Sequence, residues 1–294
     1  MKDIVIGSIT NYDFNTIRPY VNSLDQSGFD GLKVMICYNI GFNTVEELVK
    51  RGYSILTFKK DEQKKQFTYD RDFNICVERF LHMWYFLKKF EGKYRYIIST
   101  DVKDVVFQKN PSEYLQFNFA KETRKDIFNT KSINVSSESV KYCNEPWGFH
   151  NMFKSFGGAL CEHTKDNIIV NAGVLSGKFN VMIDLFLNIY MLCNGASGHH
   201  IEGGGGPDQA ALNVILNMKP WKDITIFNNS EDSWAAQLGT TGPQLSKDQH
   251  NKLVEAVPIM VDGVVCTSEG NPFTIVHQYD RVSEWKNIIE ERFK

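Results

Sequence analysis

The sequence has no long apolar run. Among its 294 residues, no stretch comes near the roughly 20 apolar residues that a membrane-spanning helix needs. The apolar run at the N-terminus is too short for a signal peptide, and an acid, Asp3, follows Lys2 directly. We therefore predict a soluble, cytoplasmic chain without a transmembrane segment.

An excess of charge of one sign is also missing. The chain has 33 Lys and Arg against 35 Asp and Glu, so its formal net charge is −2. Nucleic-acid-binding proteins usually carry a basic patch or a high pI, and we therefore predict no nucleic-acid partner. The six cysteines form no CxxC pair, which gives no support to a structural zinc site or a disulfide framework.

Strand-like apolar runs alternate with amphipathic segments through the first third of the chain. The clearest helix has apolar residues at steps of three and four from Phe73 to Leu87 and stops at Gly92. A shorter helix is predicted from the capping-box pattern that begins at Thr44. The predicted strands are residues 3–9, 32–38, 53–58 and 94–100. Such alternation implies right-handed crossovers, and hence an α/β fold with a mostly parallel central sheet flanked by helices.

The second half of the sequence is less regular, but it shows no internal repeat and no linker-like change of composition. Its predicted strands are residues 167–177, 223–227 and 273–279. Its predicted helices are residues 181–193, 207–218 and 282–293. We therefore predict a single domain, residues 1–294, with two lobes.

Two carboxylates stand where the fourth predicted strand stops, at Asp101 and Asp104 in YRYIISTDVKDVVFQ. In parallel sheets, ligands bind beyond the carboxyl ends of the strands. Two acids on one tight turn repel each other unless a cation lies between them, and carboxylate oxygens suit Mg²⁺ or Mn²⁺. The alternative is that one aspartate caps a turn and the other is solvated.

Four segments, in this order, resemble motifs of the GT-A glycosyltransferases. The segment STDVKDVVFQKNP (residues 99–111) is similar to their aspartate motif, in a spaced D-x-x-D form instead of the commoner D-x-D. That form occurs in lysyl-hydroxylase-type glycosyltransferase domains and in bacterial and large-virus glycosyltransferases. The other segments are VNAGVLSG (170–177), GPDQAALN (206–213) and IVHQYD (275–280).

The resemblance implies a Rossmann-like GT-A fold, with a nucleotide-binding lobe (residues 1–110) and a lobe for the donor sugar and the acceptor (residues 111–294). It also implies that Asp101, Asp104 and His277 bind Mn²⁺ or Mg²⁺. The ion would meet the two phosphates of a UDP- or GDP-sugar.

The resemblance also assigns roles to residues around this ion. Asp208 and Gln209 would lie near the anomeric carbon as catalytic residues. The residues expected to bind the donor are Asn11, Tyr12 and Asp13 for the base and ribose, Arg71 for the phosphates, and Asn171, Ala172 and Gly173 for the sugar. Arg79 is a second possible phosphate partner. Ordinary explanations remain open here: Asp208 as a helix N-cap after Pro207, and surface ion pairs of Arg71 and Arg79 with nearby acids, which are favoured for Arg79.

These features together predict a metal-dependent glycosyltransferase. It would transfer a hexose from a nucleotide-sugar to a carbohydrate or glycoprotein acceptor, and the resemblance favours retention of configuration. One alternative is a sugar-1-phosphate nucleotidyltransferase, although the glycine-rich loop expected after its first strand is missing from SITNYDF. The other is a non-catalytic sugar-binding or assembly protein on the same fold. A glycine-rich lid at residues 203–206 is a further expectation.

Overall fold

A computed structural model describes residues 1–69, 74–121, 130–195 and 206–294. The strands of these residues are β1 (Lys2–Thr10), β2 (Leu32–Tyr38), β3 (Ile40–Gly41), β4 (Tyr53–Leu56), β5 (Lys59–Asp61), β6 (Gln66–Thr68), β7 (Tyr94–Thr100), β8 (Val105–Phe107), β9 (Ile133–Lys141), β10 (Ile168–Lys178), β11 (Thr225–Asn228), β12 (Ala235–Gln237), β13 (Ile259–Val261), β14 (Val264–Cys266) and β15 (Ile275–His277).

The helices in the same part of the chain are α1 (Phe14–Gln26), α2 (Phe42–Lys50), α3 (Ile75–Leu87), α4 (Pro111–Lys121), α5 (Pro146–Thr164), α6 (Phe179–Gly195), α7 (Asp208–Leu216), α8 (Leu238–Thr241), α9 (Lys247–His250) and α10 (Ser283–Arg292). None of these described helices is both long enough and apolar enough to cross a membrane. The predicted glycine-rich lid falls largely outside the described residues.

The central sheet has seven strands in the order β11-β9-β10-β7-β1-β2-β4. Strand β1 pairs in parallel with β2 and β7, and the pairs β2–β4 and β9–β11 are also parallel. Only β10 runs against its two neighbours, β7 and β9. The prediction of an α/β fold with a mostly parallel sheet is therefore confirmed.

Helices cover the central sheet on both faces because successive residues of a buried strand point to opposite sides. Ile4 and Ile6 of β1 pack into the core cluster that includes residues of α3, α6 and α7. Val5 and Ile9 of the same strand pack into the cluster that includes residues of α1, α2 and α4. Both sets of side chains are almost fully buried.

Three elements of the middle of the chain were not predicted: α4, β9 and α5. Strand β9 lacks an apolar signal because alternate positions carry Asn134, Ser136 and Glu138, all of them buried. The predicted capping box at Thr44 is also wrong. Helix α2 already begins at Phe42, since the chain turns at Gly41 directly after β3, and Thr44 lies inside the helix.

A second sheet of three short strands, in the order β12-β15-β8, lies after the carboxyl end of β7. Strand β15 runs antiparallel to β8 and parallel to β12. This arrangement sets His277 opposite Val105 on one side and opposite Gln237 on the other. The C-terminal region of the chain is thereby brought to the turn that follows β7.

The first and seventh strands are joined at their starts by the buried carboxylate of Asp3. It accepts hydrogen bonds from Arg95 Nε (3.0 Å), Arg95 Nη2 (2.9 Å) and the backbone N–H of Tyr96 (3.1 Å). We expect Asp3→Ala to lower the free energy of unfolding by about 2 kcal/mol, because it leaves the buried N–H of Tyr96 and the Nε and Nη2 groups of Arg95 without an acceptor. Urea unfolding measures this change. The exposed Asp30→Ala is the control and should change stability by less than about 0.5 kcal/mol.

Candidate metal centre

Three side chains meet where β7, β8 and β15 come together. Asp101 follows the last residue of β7, and its backbone N–H donates to the carbonyl oxygen of Gly173 (2.7 Å). Asp104 directly precedes β8, and His277 is the last residue of β15. Because His277 pairs with Val105 in the second sheet, the imidazole lies beside the turn that carries both aspartates.

The geometry of this cluster suits one divalent cation. The ligand atoms of Asp101, Asp104 and His277 all lie within 4.8 Å of one another. His277 Nε2 is 3.5 Å from Asp101 Oδ2 and 3.7 Å from Asp104 Oδ1. The imidazole is 2% exposed, whereas the carboxylates are 34% and 19% exposed. An ion held here would therefore contact a buried nitrogen on one side and an open groove on the other. The structure thus brings together the three predicted ligands.

Gln237 fixes the orientation of the imidazole. Its side-chain Oε1 accepts a hydrogen bond from His277 Nδ1 (2.7 Å), and its Nε2 donates to Ser136 Oγ (2.6 Å). With Nδ1 donating to Gln237, Nε2 faces the two carboxylates and, when it carries no proton, offers its lone pair to a metal ion. Partners of this kind orient metal-binding histidines in proteins. Gln237 was not predicted from the sequence, because it is 40 residues away from His277 along the chain.

Because Gly173 has no side chain, the cluster can occupy the space beside it. A Cβ atom at this position would lie 2.4 Å from His277 Cε1 and 2.8 Å from Asp101 Oδ2. Such distances are far below van der Waals contact. The predicted donor-sugar residue Gly173 is therefore also the residue that lets β10 pass directly against the metal cluster.

Arg79 connects the cluster to α7. The guanidinium forms an ion pair with Asp101 Oδ1 through Nη1 and with Asp208 Oδ2 through Nη2 (3.1 Å). Its Nη2 also lies 3.5 Å from the carbonyl oxygen of Ala172. The expectation of a surface ion pair for Arg79 is wrong, because the side chain is only 10% exposed. Its spacing from the apolar positions Cys76 and Met83 would have placed it on the buried face of α3.

The charges in the cluster oppose and compensate one another. Burial alone would raise the pKa of Asp101, but the charges of Arg79 and His277 hold it below its ordinary value. Burial raises the pKa of Asp104, against the opposing effect of His277. Burial would lower the pKa of His277, but the neighbouring Asp104 and Asp101 raise it instead. The negative charge of the two acids is therefore compensated by Arg79 and by any positive charge placed at His277 Nε2, whether a proton or a metal ion.

The two predicted catalytic residues begin α7. The N-cap of this helix is Pro207 without a side-chain cap, and Asp208 is the first helical residue, so Asp208 does not act as the N-cap. Burial raises the pKa of Asp208 even though Arg79 lowers it. Gln209 Oε1 accepts a hydrogen bond from the backbone N–H of Ala172 (3.2 Å).

Asn171 is buried and engaged in two short contacts. Its Nδ2 donates to Glu138 Oε1 (2.6 Å), and its Oδ1 accepts from the backbone N–H of Gly173 (2.6 Å). The direct part that Asn171 was predicted to play in sugar binding stays a prediction. Glu138 was not predicted as a site residue, because its strand, β9, was not predicted either.

The predicted base and ribose residues lie at the carboxyl end of β1. Tyr12 lines two adjoining grooves: one of about 290 Å³ that it shares with Asp101 and Asp104, and one of about 470 Å³ that it shares with Asn11 and Asp13. Asp13 Oδ1 caps α1 by accepting from the backbone N–H and the hydroxyl of Thr16. Arg71, the predicted phosphate partner, lies outside the described residues.

No protein-family model matches the sequence, and no curated protein matches it. Among solved structures, the chain is similar to WbbM, a bifunctional glycosyltransferase solved in its apo form, with a TM-score of 0.57 and 12% identity. The alignment covers 99% of this chain and 51% of WbbM, so the chain spans about half the length of that protein. At this identity the similarity shows a shared fold, and the function must be argued from the site.

Replacing Gln237 tests the orientation of the imidazole. We expect Gln237→Leu to weaken Mn²⁺ binding by about 10- to 100-fold, because the ring loses the acceptor that fixes its tautomer. Gln237→Glu keeps an acceptor for Nδ1 and should lose less than about tenfold. Isothermal titration with Mn²⁺ measures both, and equal affinities for the two variants would contradict this role.

Adding one methyl group tests the close approach of β10. We expect Gly173→Ala to weaken Mn²⁺ binding by at least about tenfold, because the new Cβ would displace His277 or Asp101 from its position. The matched control is Gly158→Ala, whose Cβ would meet only a Phe153 side-chain carbon at 3.6 Å. Mn²⁺ titration followed by electron paramagnetic resonance would show the difference, and unchanged affinity in Gly173→Ala would refute it.

Proposed function

We propose that this chain is a metal-dependent GT-A glycosyltransferase that transfers a hexose from a nucleoside-diphosphate sugar. One observation carries the proposal: Asp101, Asp104 and His277 converge at the carboxyl edge of a mostly parallel sheet, in a groove next to the end of β1. The similarity of fold to a glycosyltransferase structure supports it.

The chemistry of the groove fits a diphosphate. Lys103 and Arg281 line it together with the two aspartates, and Asp280 lies 3.8 Å from each of these cations. A diphosphate bound in this groove would meet both cations.

The adjoining groove has the chemistry of a nucleoside site. Its lining includes the amide side chains of Asn11, Asn39 and Asn43, which offer both donors and acceptors, and the ring of Phe42. Amides can read the polar edge of a base, and an aromatic ring can stack on its face. We therefore place the base and ribose of a UDP- or GDP-sugar here and its phosphates beside Asp104.

The residues present fit Mn²⁺ or Mg²⁺. Two carboxylates suit either ion, and the one imidazole nitrogen slightly favours Mn²⁺. When bound, the ion would neutralise the negative charge that grows on the leaving diphosphate. Lys103 and Arg281 would add to this charge compensation from the two sides of Asp280.

The donor sugar would lie between the metal cluster and the start of α7, against Ala172 and Gly173. Asp208 is 7% exposed and held by Arg79, which suits a residue that fixes the sugar better than one that takes a proton from the acceptor. We therefore propose retention of configuration, with Asp208 and Gln209 facing the anomeric carbon. The acceptor is proposed to be a carbohydrate or a glycoprotein.

The proposal is tested by nucleotide-sugar binding with and without metal. We expect a UDP- or GDP-sugar to raise the melting temperature in the presence of Mn²⁺, since a ligand that binds only the folded state stabilises it, and EDTA should remove the effect. Asp104→Ala should abolish the Mn²⁺-dependent part of the calorimetric affinity while keeping the fold.

The control for Asp104→Ala is Asp248→Ala, whose side chain is 83% exposed and belongs to a surface ion pair with Lys252. It should bind donor and Mn²⁺ like the unaltered chain. Unchanged metal-dependent affinity in Asp104→Ala would overturn the proposed role of the cluster. Binding without release of the nucleoside diphosphate, in the presence of a panel of acceptors, would favour a non-catalytic sugar-binding protein.

A further inference from the structure

Glu138 is a buried carboxylate next to the proposed donor site, and neither the sequence motifs nor the metal cluster accounts for it. We infer that it is a positioning residue: it holds Asn171 and Gln209, and through them the segment of β10 that passes against the metal ligands. This inference rests on the proposed function for its effect on sugar transfer, but its effect on the metal cluster can be measured independently.

The segment concerned is an irregularity in β10. In the pairing of β10 with β9, Val170 lies opposite Ser137, and Leu175 lies opposite Val135. Four residues of β10, 171–174, therefore face a single residue of β9, Ser136. On the β9 side a bulge of this size interrupts the regular ladder, while on the other side Val174 still pairs with Thr100 of β7 and the carbonyl oxygen of Gly173 accepts from the N–H of Asp101. The other backbone groups of the bulge need other partners.

Side chains supply these partners from two directions. From α7, Gln209 Oε1 accepts from the N–H of Ala172 (3.2 Å). One turn further along that helix, Asn213 bonds both to the N–H and to the carbonyl oxygen of Val170 (2.8 Å each). Within the bulge, Asn171 Oδ1 accepts from the N–H of Gly173 (2.6 Å).

Glu138 fixes which way the two amides of Asn171 and Gln209 point. It accepts from Asn171 Nδ2 (2.6 Å), and the side chain of Gln209 lies close enough to oppose the rise that burial causes in its pKa. Because a carboxylate only accepts hydrogen bonds, both amides must turn their NH₂ groups to it and their oxygens to the backbone N–H groups of the bulge. A residue that could also donate would allow either amide to flip.

The consequence reaches the metal cluster through Gly173. This residue has no room for even a Cβ against His277 and Asp101, so a small shift of its backbone would change the positions of both ligands. Glu138 is 5% exposed, which fits a residue that orients the β10 segment beside the site without lining the site itself.

The experiment reverses the polarity of the Glu138–Asn171 hydrogen bond. Asn171→Asp places two carboxylates in contact, and we expect it to weaken Mn²⁺ binding by about tenfold or more. Glu138→Gln alone allows the amides to flip and should have a smaller effect in the same direction. In the double variant Glu138→Gln/Asn171→Asp, the new amide can donate to the new carboxylate and still accept from Gln209. We expect it to regain Mn²⁺ affinity to within about threefold of the unaltered chain.

Two readouts are needed. The first is Mn²⁺ affinity, measured by electron paramagnetic resonance. The second is hydrogen exchange of the backbone amides of Ala172 and Gly173, which should be fast in Asn171→Asp and slow again in the double variant. Loss of sugar transfer should follow the same order. A chain that binds Mn²⁺ but no nucleotide-sugar would overturn the proposed function, while these two readouts would still test Glu138.

Asp3→Asn is the control for a general loss of stability. It removes a buried negative charge at the start of β1, at the end of the strand away from the site. It should lower the melting temperature without changing Mn²⁺ affinity or the exchange of Ala172 and Gly173. The inference is overturned if Asn171→Asp leaves both readouts unchanged. It is also overturned if the double variant is no better than Asn171→Asp, because then the orientation of this hydrogen bond does not matter.

Discussion

The like charges of Asp101 and Asp104, set close together at the end of β7, are the constraint around which this region is organised. Two partly buried carboxylates repel each other and lose solvation, so they need cationic partners. Arg79 forms an ion pair with Asp101 Oδ1, and His277 Nε2 lies near Asp101 Oδ2 and Asp104 Oδ1. A long helix and the C-terminal strand are therefore both tied to one turn, and a divalent ion would complete the compensation.

The compensation extends to α7 because one guanidinium serves two acids. Arg79 pairs with Asp208 as well as with Asp101, which joins the start of α7 to the metal cluster. The same helix holds the bulge of β10 through Gln209 and Asn213. A displacement of α3, α7 or the β10 bulge would therefore move the side chains of the cluster. For this reason we propose that the reacting part of the donor lies between these elements.

A row of buried polar side chains on β9 holds the strands that carry or contact the site residues. Asn134 bonds to Ser176, Ser136 to Gln237, and Glu138 to Asn171. These bonds connect β9 to β10 and to the second sheet. Each polar group is paired, as buried polar groups must be to avoid a large desolvation cost. The row replaces the apolar face that a strand in this position would ordinarily have.

Much of the first third of the chain could be predicted from periodicity. The apolar runs at residues 32–38 and 94–100 coincide with β2 and β7, and the steps of three and four predict α3 within two residues. The three candidate metal ligands were predicted from the position of two acids after a strand and from a family resemblance. Gln237 and Glu138 were not predicted, because a polar residue on a buried strand face has the same local pattern as a solvated one. The spacing of Arg79 indicates the buried face of α3, but it does not indicate which acids the guanidinium meets.

The sequence by itself determined the alternation of strands and helices, the edge of the sheet where carboxylates gather, and the segments that carry Asp101, Asp104 and His277. Only the tertiary structure decided which polar residues complete the site. The bond between Arg79 and Asp208 spans 129 residues, and that between Gln237 and His277 spans 40. Local propensities act over one or two turns of the chain, so they carry no information about partners that distant. The pairing of the sheets and the packing of α3 against α6 and α7 bring these residues together.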